Sequence, residues 1–236
     1  MHEFDRDPPG VSRVRAPNPS PLTLDGTNTY VVGRWVVDPG PDDPGHLEAV
    51  RAAASEGIEA VVLTHGHGDH ADGAPALDVP IHRLGDGESA GPFRAIATPG
   101  HSPDSVSLVL EERVCFTGDT VLGSGSVFIA PGEGSLSSYL ESLRKLRSLP
   151  LEALAPGHGP YVWDPAAKLD EYISHRLERE QRLLDALDAG LRTHDELLDS
   201  AWSDAPADLR YFAGLSLASH LEKLEEEGRL PDGVER

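Results

Sequence analysis

A histidine-rich segment directly follows an apolar run, and this pairing limits the folds open to the chain more than any other feature. The apolar run covers residues 58–63, and Thr64-His65-Gly66-His67-Gly68-Asp69-His70 comes next. A strand that leads into a tight, glycine-containing loop can direct alternate side chains to one point. Three imidazoles and a carboxylate within six residues are typical of a zinc site.

Further candidate ligands follow three later apolar runs. His101, Asp119 and His158 each stand within four residues of the end of such a run. An isolated histidine-rich loop is often an ordinary solvated turn. Donors at the ends of four separate strands are better explained by one shared metal site, and the sequence therefore predicts that these loops converge.

The chain alternates short apolar strands with helical segments up to residue 163. Helical periodicity covers residues 45–57 and 136–149, with Ser135 or Ser137 available as a cap for the second helix. Short strands are predicted over residues 11–15, 29–32, 34–37, 61–63, 79–82, 93–97, 105–110, 113–117 and 153–155. Strands, helices and strands again predict an α/β protein with a layered αβ/βα sandwich.

The texture changes after residue 163, where glycine becomes sparse and long helical periods begin. Asp164 caps and Pro165 opens a helix that is expected to run to about residue 189. Thr193 and Glu196 form a capping-box pattern for a second helix, and residues 206–227 predict a third. We therefore predict a flexible arm over residues 1–10, a catalytic domain over 11–163 and a helical C-terminal domain over 164–236.

Composition narrows the classes of partner and compartment. Forty acidic residues against twenty basic ones give a formal net charge of -20, which disfavours nucleic acid as a partner without excluding a local phosphate site. The single cysteine, Cys115, excludes an internal disulfide and is expected to be buried in a strand. Without a long apolar run or a signal-like start, the chain is expected to be cytoplasmic and to avoid membranes.

The order of the candidate ligands resembles the metallo-β-lactamase superfamily. The pattern is His-x-His-x-Asp-His, followed downstream by His, Asp and His. Residues 26–32, 38–40, 116–119, 156–160 and parts of the tail look most similar to the group around β-lactamase-like protein 2, and the resemblance covers residues 12–236. It implies a four-layer αβ/βα metallo-β-lactamase sandwich with a small C-terminal helical, winged-helix-like domain.

The same resemblance assigns seven side chains to two metal ions, with one aspartate bridging both. The first ion would take three imidazoles, the second a carboxylate and two imidazoles: His65, His67 and His101 for the first, Asp69, His70 and His158 for the second, and Asp119 for both. Two Zn²⁺ are the expected cofactors, with Fe or Mn as alternatives, because the donors include no thiolate. Asp69 and Asp119 are also the predicted catalytic residues, since paired cations generate a bridging hydroxide.

Three functions follow from this reading. The leading hypothesis is a binuclear hydrolase of a small ester or thioester. The β-lactamase-like protein 2 group often has a histidine at the position of Ser105. Broader branches of the superfamily, such as glyoxalase-II-like thioesterases, also lack that histidine. The resemblance also implies an endoribonuclease acting on single-stranded RNA, which would need a positive strip from Arg83, Arg94 or the face carrying Arg176, Arg179 and Arg182. A non-catalytic metal-binding or scaffold module is the third hypothesis, and dimerisation is left open.

Several further residues are weaker candidates. Asp38 and Thr64 are candidates for orienting metal-bound imidazoles, and ordinary turn chemistry before Pro39-Gly40 is the alternative for Asp38. Tyr161 and His220 are candidates for the acid that protonates the leaving group. The remaining histidines are expected to be structural or at the surface, with His175 and His220 as alternative substrate contacts: His46, His82, His175, His194 and His220. The loop over residues 122–136, with exposed apolar side chains at Val127, Phe128 and Ile129, is expected either to select the substrate or to be a mobile connector.

The C-terminal helices are expected to form a lid or a partner-docking surface. DNA recognition is disfavoured for the last helix, because residues 222–227 contain four acids and one lysine.

Overall fold

The structure is a computed structural model and describes residues 6–127 and 129–235. The predicted arm falls partly outside this range, and Pro8 is the buried residue of its described part. The described residues contain ten strands: β1 Val11–Arg15, β2 Asn28–Val32, β3 Trp35–Val37, β4 Ala60–Leu63, β5 Ile81–Arg83, β6 Ser89–Ala90, β7 Phe93–Ala97, β8 Val106–Leu110, β9 Val114–Gly118 and β10 Ala153–Pro156. They also contain six α-helices: α1 Pro44–Ala53, α2 Gly68–Ala71, α3 Leu136–Arg147, α4 Pro165–Asp188, α5 His194–Ala201 and α6 Arg210–Glu226.

The strands form two mixed five-stranded sheets. The first has the order β1-β2-β3-β4-β5 and the second the order β10-β9-β8-β7-β6. In the first sheet, β3, β4 and β5 are parallel, and β10 runs parallel to β9 in the second. The carboxyl ends of β4, β9 and β10 therefore lead into the loops that carry candidate ligands.

Apolar side chains bury both faces of each sheet, which produces the four layers. Between the sheets, Tyr30 and Val62 pack in one cluster with Phe93, Leu108 and Phe116. Helix α1 covers the outer face of the first sheet, and helices α3 and α4 cover the outer face of the second. The predicted α/β sandwich is confirmed, because these layers hide strands that are apolar on both sides.

Local capping chemistry sets most helix ends as the sequence predicts. Ser135 accepts a hydrogen bond from the backbone N–H of Ser138, and Asp164 accepts one from that of Ala167. Thr193 and Glu196 form both halves of a capping box at the start of α5. Each cap depends on residues three positions apart, so the signal is readable without tertiary information.

Two short elements were not predicted. Helix α2 contains Asp69 and His70 within a segment that the sequence suggested was a loop, and β6 is a two-residue strand paired with β7. Neither has a periodic apolar pattern. Tertiary contacts therefore decide both.

The C-terminal helices build a separate apolar cluster around Leu183, Leu197, Trp202 and Leu217. Helix α4 belongs to two clusters, since Leu169 and Tyr172 near its start pack against the sandwich. From residue 164 to residue 235 the chain contains no strand, so the described part lacks a two-stranded wing. The division into domains stays a prediction.

Candidate metal centre

Four strand ends bring the predicted ligands together. His65 and His67 lie in the turn after β4, and Asp69 and His70 lie in the short helix α2 that follows. The other three donors come from the second sheet: His101 after β7, Asp119 after β9 and His158 after β10. Two sheets thus contribute to one site at a shared edge.

The first donor group consists of His65, His67, His101 and Asp119. One ligand atom from each lies within 4.8 Å of the others. The Nδ1 atom of His67 is 3.1 Å from Nε2 of His65 and 3.1 Å from Nε2 of His101. Three imidazole nitrogens therefore point at a common volume.

The second donor group consists of Asp69, His70 and His158, within the same limit of 4.8 Å. The Nε2 atoms of His70 and His158 are 3.3 Å apart. Asp69 Oδ2 lies 3.3 Å from His158 Nε2 and 3.6 Å from His70 Nε2.

Asp119 faces both groups with different oxygens. Its Oδ1 lies 3.3 Å from Nε2 of His70 and 3.3 Å from Nε2 of His158, whereas its Oδ2 lies 3.7 Å from Nε2 of His101. One carboxylate can therefore offer an acceptor to each donor group.

Hydrogen bonds on the outer side of the imidazoles direct their lone pairs into the site. Asp38 Oδ2 accepts from Nδ1 of His70 at 2.9 Å, which leaves Nε2 as the metal-facing nitrogen. Thr64 Oγ1 donates to the same carboxylate at 2.6 Å, so Nδ1 of His65 must donate to Thr64 at 3.0 Å. The predicted orienting roles of Asp38 and Thr64 agree with this geometry.

The first donor group fits a metal ion for two reasons, the close contacts among its imidazole nitrogens and the chemistry of its donor atoms. A proton on His67 Nδ1 could satisfy one of its two close imidazole neighbours, while the other pair of nitrogens would still repel. A cation among them removes that conflict. Imidazole and carboxylate donors suit Zn²⁺ or a similar divalent ion.

Neighbouring charges and hydrogen bonds raise the pKa values of the two imidazoles in the second donor group. Burial alone would raise the pKa of Asp69, but a hydrogen bond from His158 and the charge of His70 outweigh it and lower the pKa to about 2. Burial opposes charge on His158 too, yet hydrogen bonds to Asp119 and Asp69 raise its pKa to about 9. Burial and the neighbouring His70 lower the pKa of His65 to about 3, so that imidazole is neutral and ready to bind.

Glycine 157 allows the loops to approach one another. A Cβ atom at this position would lie 2.5 Å from Cε1 of His70 and 2.6 Å from Oδ1 of Asp119. No real Cβ tolerates such distances, so any larger residue would displace a donor.

A cavity of about 680 Å³ opens over the donors. His67, Asp69, Asp119 and His158 line one side of it. Apolar side chains from residues 20–24 and from the start of α6 line another side of the cavity. Sequence reasoning missed both apolar segments, because nothing local links them to the histidine loop.

Thr27 is another residue that sequence reasoning left without a role. Its hydroxyl donates to Asp69 Oδ2 at 3.4 Å. The carbonyl of the preceding Gly26 accepts from Nδ1 of His158, also at 3.4 Å, which directs His158 Nε2 inward. Residues 26–32 form one of the sequence motifs, and these contacts show that its first two residues hold the side chains of Asp69 and His158 in place.

Both candidates for the leaving-group acid lie away from the cavity. Tyr161 is buried beside Tyr30 in the core between the sheets, and burial raises the pKa of its hydroxyl far above the usual range. His220 is buried between α4 and α6, near the carbonyls of Ser216 and Arg176. These two expectations were wrong, because packing directs both side chains into the interior.

The loop after Asp119 lines the cavity, with Leu122 and Val127 among its lining residues, but it is less exposed than predicted. Val127 and Ile129 are buried, and Phe128 lies outside the described residues. Arg176 of helix α4 donates to the carbonyl of Val127 and to the Ser126 hydroxyl, which ties the loop down.

The expected positive strip is also absent from the described lining of the cavity. Arg176 points inward to the loop, while Arg179 and Arg182 pair with Asp204. Arg94 pairs with Glu112 at the surface, and Arg83 lines a separate pocket beside His65. The cavity is bordered by Asp69, Asp119 and Glu133, and none of its described lining residues is a lysine or an arginine.

Comparison with known proteins agrees with the site. The model of the metallo-β-lactamase superfamily matches residues 22–81 and 75–158, which include all seven candidate ligands. The chain belongs to the metallo-β-lactamase superfamily. The chain is a metal-dependent hydrolase of that superfamily.

Relatives with curated names cover most of the chain. It is 32% identical to a β-lactamase-like protein 2 homolog of Caenorhabditis elegans, over 92% of this chain and 85% of that protein. It is 34% identical to an atrochrysone carboxyl ACP thioesterase of Aspergillus fumigatus, over 90% of this chain and 80% of the relative. The predicted similarity to the β-lactamase-like protein 2 group is confirmed.

Solved structures of metallo-β-lactamase proteins share the fold. A family protein of Thermus thermophilus superposes with a TM-score of 0.76 at 24% identity, covering 93% of this chain and 94% of the other. TTHA1623, solved in a di-iron-bound form, superposes with a TM-score of 0.54 at 28% identity, over 66% of this chain and 96% of the other. Among the described helices, none is long and apolar enough to cross a membrane.

Proposed function

We propose that this metallo-β-lactamase protein is a binuclear hydrolase of small thioesters, with related esters as poorer substrates. The observation that carries the proposal is the lining of the cavity. Beside the donors, the described lining offers hydroxyl groups, apolar side chains and Glu133, and it contains no further histidine and no lysine or cysteine. Such a lining favours a leaving group that is stable as an anion.

A thiolate meets this requirement and an alkoxide does not. Thiols ionise near a pKa of about 8.5, whereas the pKa of a hydroxyl group is far higher. In thioester hydrolysis the oxygen of water bonds to the carbonyl carbon and the carbon–sulfur bond breaks. The electron pair leaves with sulfur, and the products are a carboxylic acid and a thiol.

The seven donors would hold two cations in the two groups described above. When bound, such cations supply Lewis acidity, which activates water and stabilises negative charge on the carbonyl oxygen. Zinc is the proposed ion because histidine dominates the donor set. Iron is the second candidate, since TTHA1623 was solved in a di-iron-bound form.

The chain's own residues keep the donors in one arrangement. Asp38 orients His70 directly and His65 through Thr64, and Thr27 contacts Asp69. Asp119 supports a binuclear rather than a mononuclear site, because each of its oxygens faces a different donor group. Such outer contacts commonly change metal affinity or activity by about 10–100-fold.

Two earlier hypotheses are less well supported by the same observations. RNA cleavage needs cations along the strand path, and the described cavity residues provide carboxylates instead. A non-catalytic scaffold would have no need of seven convergent donors. The name of the Aspergillus fumigatus relative, a carboxyl ACP thioesterase, supports thioester chemistry.

A substrate panel tests the proposal. Protein reconstituted with zinc or iron would be assayed on an acyl thioester, a carboxylic ester, a phosphodiester and single-stranded RNA. We expect turnover of the thioester to exceed that of every other substrate, and elemental analysis to find about two ions per chain. Preferred cleavage of RNA or of the phosphodiester would overturn the proposal.

A matched pair of variants controls the assay. Asp69→Ala removes a donor and should abolish turnover. Asp72→Ala removes an exposed carboxylate three residues away, outside both donor groups, and should retain wild-type activity. Equal activity in the two variants would show that the assigned donors do not carry the reaction.

A further inference from the structure

The cavity beside the donors has an apolar wall made by two segments that are far apart in the sequence. Leu22 and Leu24 contribute from the loop between β1 and β2, and Leu209 and Phe212 contribute from the start of helix α6. We call these four residues the apolar wall. At about 680 Å³, the cavity has room for a medium-sized organic group in addition to the reacting carbonyl.

Exposed leucines mark the mouth of this cavity. Leu22 is 45% exposed and Leu209 is 41% exposed, and neither belongs to one of the buried apolar clusters. Large apolar side chains in solvent are unfavourable, and those that border a cavity commonly contact a ligand. The positions of these two residues therefore indicate a partner that is itself apolar.

The backbone of Leu24 gives an independent reason to assign a function to the wall. Its φ angle is 55°, in the left-handed region where a leucine is strained and glycine or asparagine is favoured. Its Cδ1 atom lies close to Gly159, next to the donor His158. A bulky apolar side chain is thus held beside the donors in spite of its backbone energy, which is typical of a functional position.

The wall is held in a defined position relative to the donors. Helix α6 carries Phe212, and the hydroxyl of Ser219 in the same helix donates to the carbonyl of Ile129. Ile129 lies in the loop that follows Asp119. The C-terminal helix is therefore fastened to the segment that leaves the metal site.

The charge of the cavity defines which apolar ligand fits. Its described ionisable lining consists of the metal donors and the exposed Glu133, with no lysine or arginine to pair with an anion. A carboxylate or phosphate on an acyl group that lies against the apolar wall would therefore lose hydration without gaining a lysine or arginine as a partner. An uncharged hydrocarbon or aromatic group would lose nothing comparable.

We propose that the apolar wall is the acyl-binding subsite, and that it selects thioesters whose acyl group is an uncharged aliphatic or aromatic chain. This inference rests on the proposed thioesterase function. Leu24 and Phe212 are the residues that determine specificity, since they approach the cavity from opposite parts of the chain.

The kinetic test uses N-acetylcysteamine thioesters with acetyl, butyryl, octanoyl and benzoyl groups. Each fully buried methylene is worth roughly a fourfold change in binding, and we expect the partly open wall to bury about three of the six methylenes that octanoyl adds to acetyl, so kcat/KM should rise on the order of 100-fold. In Phe212→Ala and Leu24→Asn that ratio should fall about tenfold, mainly through a higher KM for the octanoyl thioester.

A binding test separates recognition from catalysis. The probes are the non-hydrolysable ketones S-(2-oxononyl)- and S-(2-oxopropyl)-N-acetylcysteamine, titrated calorimetrically into metal-free protein. The nonyl compound should bind at least about tenfold more tightly, and Phe212→Ala should remove the difference. Asparagine tolerates the backbone of Leu24, so Leu24→Asn should lose this preference with its melting temperature unchanged.

Leu177→Ala is the matched control. Leu177 is another exposed leucine, with 42% exposure, but it belongs to helix α4 and does not line the cavity. The variant should leave both ratios at the wild-type value.

The outcomes distinguish the two proposals. If no thioester is hydrolysed but the long ketone is preferred, the proposed function is wrong and the apolar subsite stands. If all thioesters are hydrolysed equally, and both wall variants leave the binding ratio unchanged, the subsite is wrong and the thioesterase proposal stands.

Discussion

Asp38 Oδ2 accepts a hydrogen bond from Nδ1 of His70 at 2.9 Å, and both side chains are almost completely buried. Asp38 also accepts from the backbone N–H and the hydroxyl of Thr64, at 2.8 and 2.6 Å. The carboxylate of Asp38 therefore orients His70 directly and His65 through Thr64. The φ angle of Asp38 is 48°, a left-handed conformation that aspartate adopts more readily than most residues.

Replacing Asp38 should weaken the metal site without removing a donor. In Asp38→Asn, the amide cannot accept all three hydrogen bonds, so His70 and Thr64 lose a common acceptor. We expect metal affinity to fall about 10–100-fold, measured by competition with a chromophoric chelator. Asp42→Asn changes an exposed aspartate nearby and should retain wild-type affinity. Unchanged affinity in Asp38→Asn would refute the orienting role.

Gly157 should tolerate no larger side chain. Gly157→Ala places a methyl group 2.5 Å from His70 and 2.6 Å from Asp119, so one of these donors must move. We expect metal stoichiometry to fall by about one ion per chain, with an unaltered circular dichroism spectrum. Gly45→Ala is the control, because its Cβ atom would meet nothing closer than 3.4 Å. Full metal loading of Gly157→Ala would contradict the close approach seen here.

Arg176 should act on activity through the loop that it holds. Its guanidinium is buried, donates to Val127 and Ser126, and lies over the ring of Tyr139. Arg176→Met keeps the apolar stem but loses these hydrogen bonds, so the loop should be cleaved faster by proteases.

The same variant should lower kcat/KM by about tenfold while metal content stays constant. Arg182→Met removes an exposed arginine that pairs with Asp204 and serves as the control. Equal protease resistance in the two variants would remove Arg176 from this role.

His220 should make the folded state sensitive to mild acid. Burial lowers the pKa of His220 to about 4, against hydrogen bonds to the carbonyls of Ser216 and Arg176. Because the unfolded histidine binds its proton near pH 6.5, the stabilisation is complete above that pH and declines as the pH falls toward 4.

The difference in pKa corresponds to about 3 kcal/mol in the free energy of unfolding. Urea unfolding of metal-free protein at pH 7.5, 5.5 and 4.5 measures it, with His220→Gln as the reference. The wild type should lose up to that amount more than the variant over this range. Parallel losses would show that His220 does not carry the effect.

Local chemistry made much of this protein readable from its sequence. The apolar run before His65 predicts a buried strand, and Ser135, Asp164 and Thr193 predict helix starts, because each signal lies within a few residues. The donors could also be recognised, since metal chemistry restricts the residue types and strand ends bring them to one edge.

Tertiary structure alone decided which side chains face the cavity. Tyr161 and His220 have the right chemistry for an acid, but packing turns one into the core and the other between two helices. Leu24 and Phe212 are 188 positions apart, and no local pattern relates them to His67 or to each other. The sequence determined the fold and the candidate metal donors through short-range patterns, whereas the substrate-facing surface depends on long-range packing that such patterns do not record.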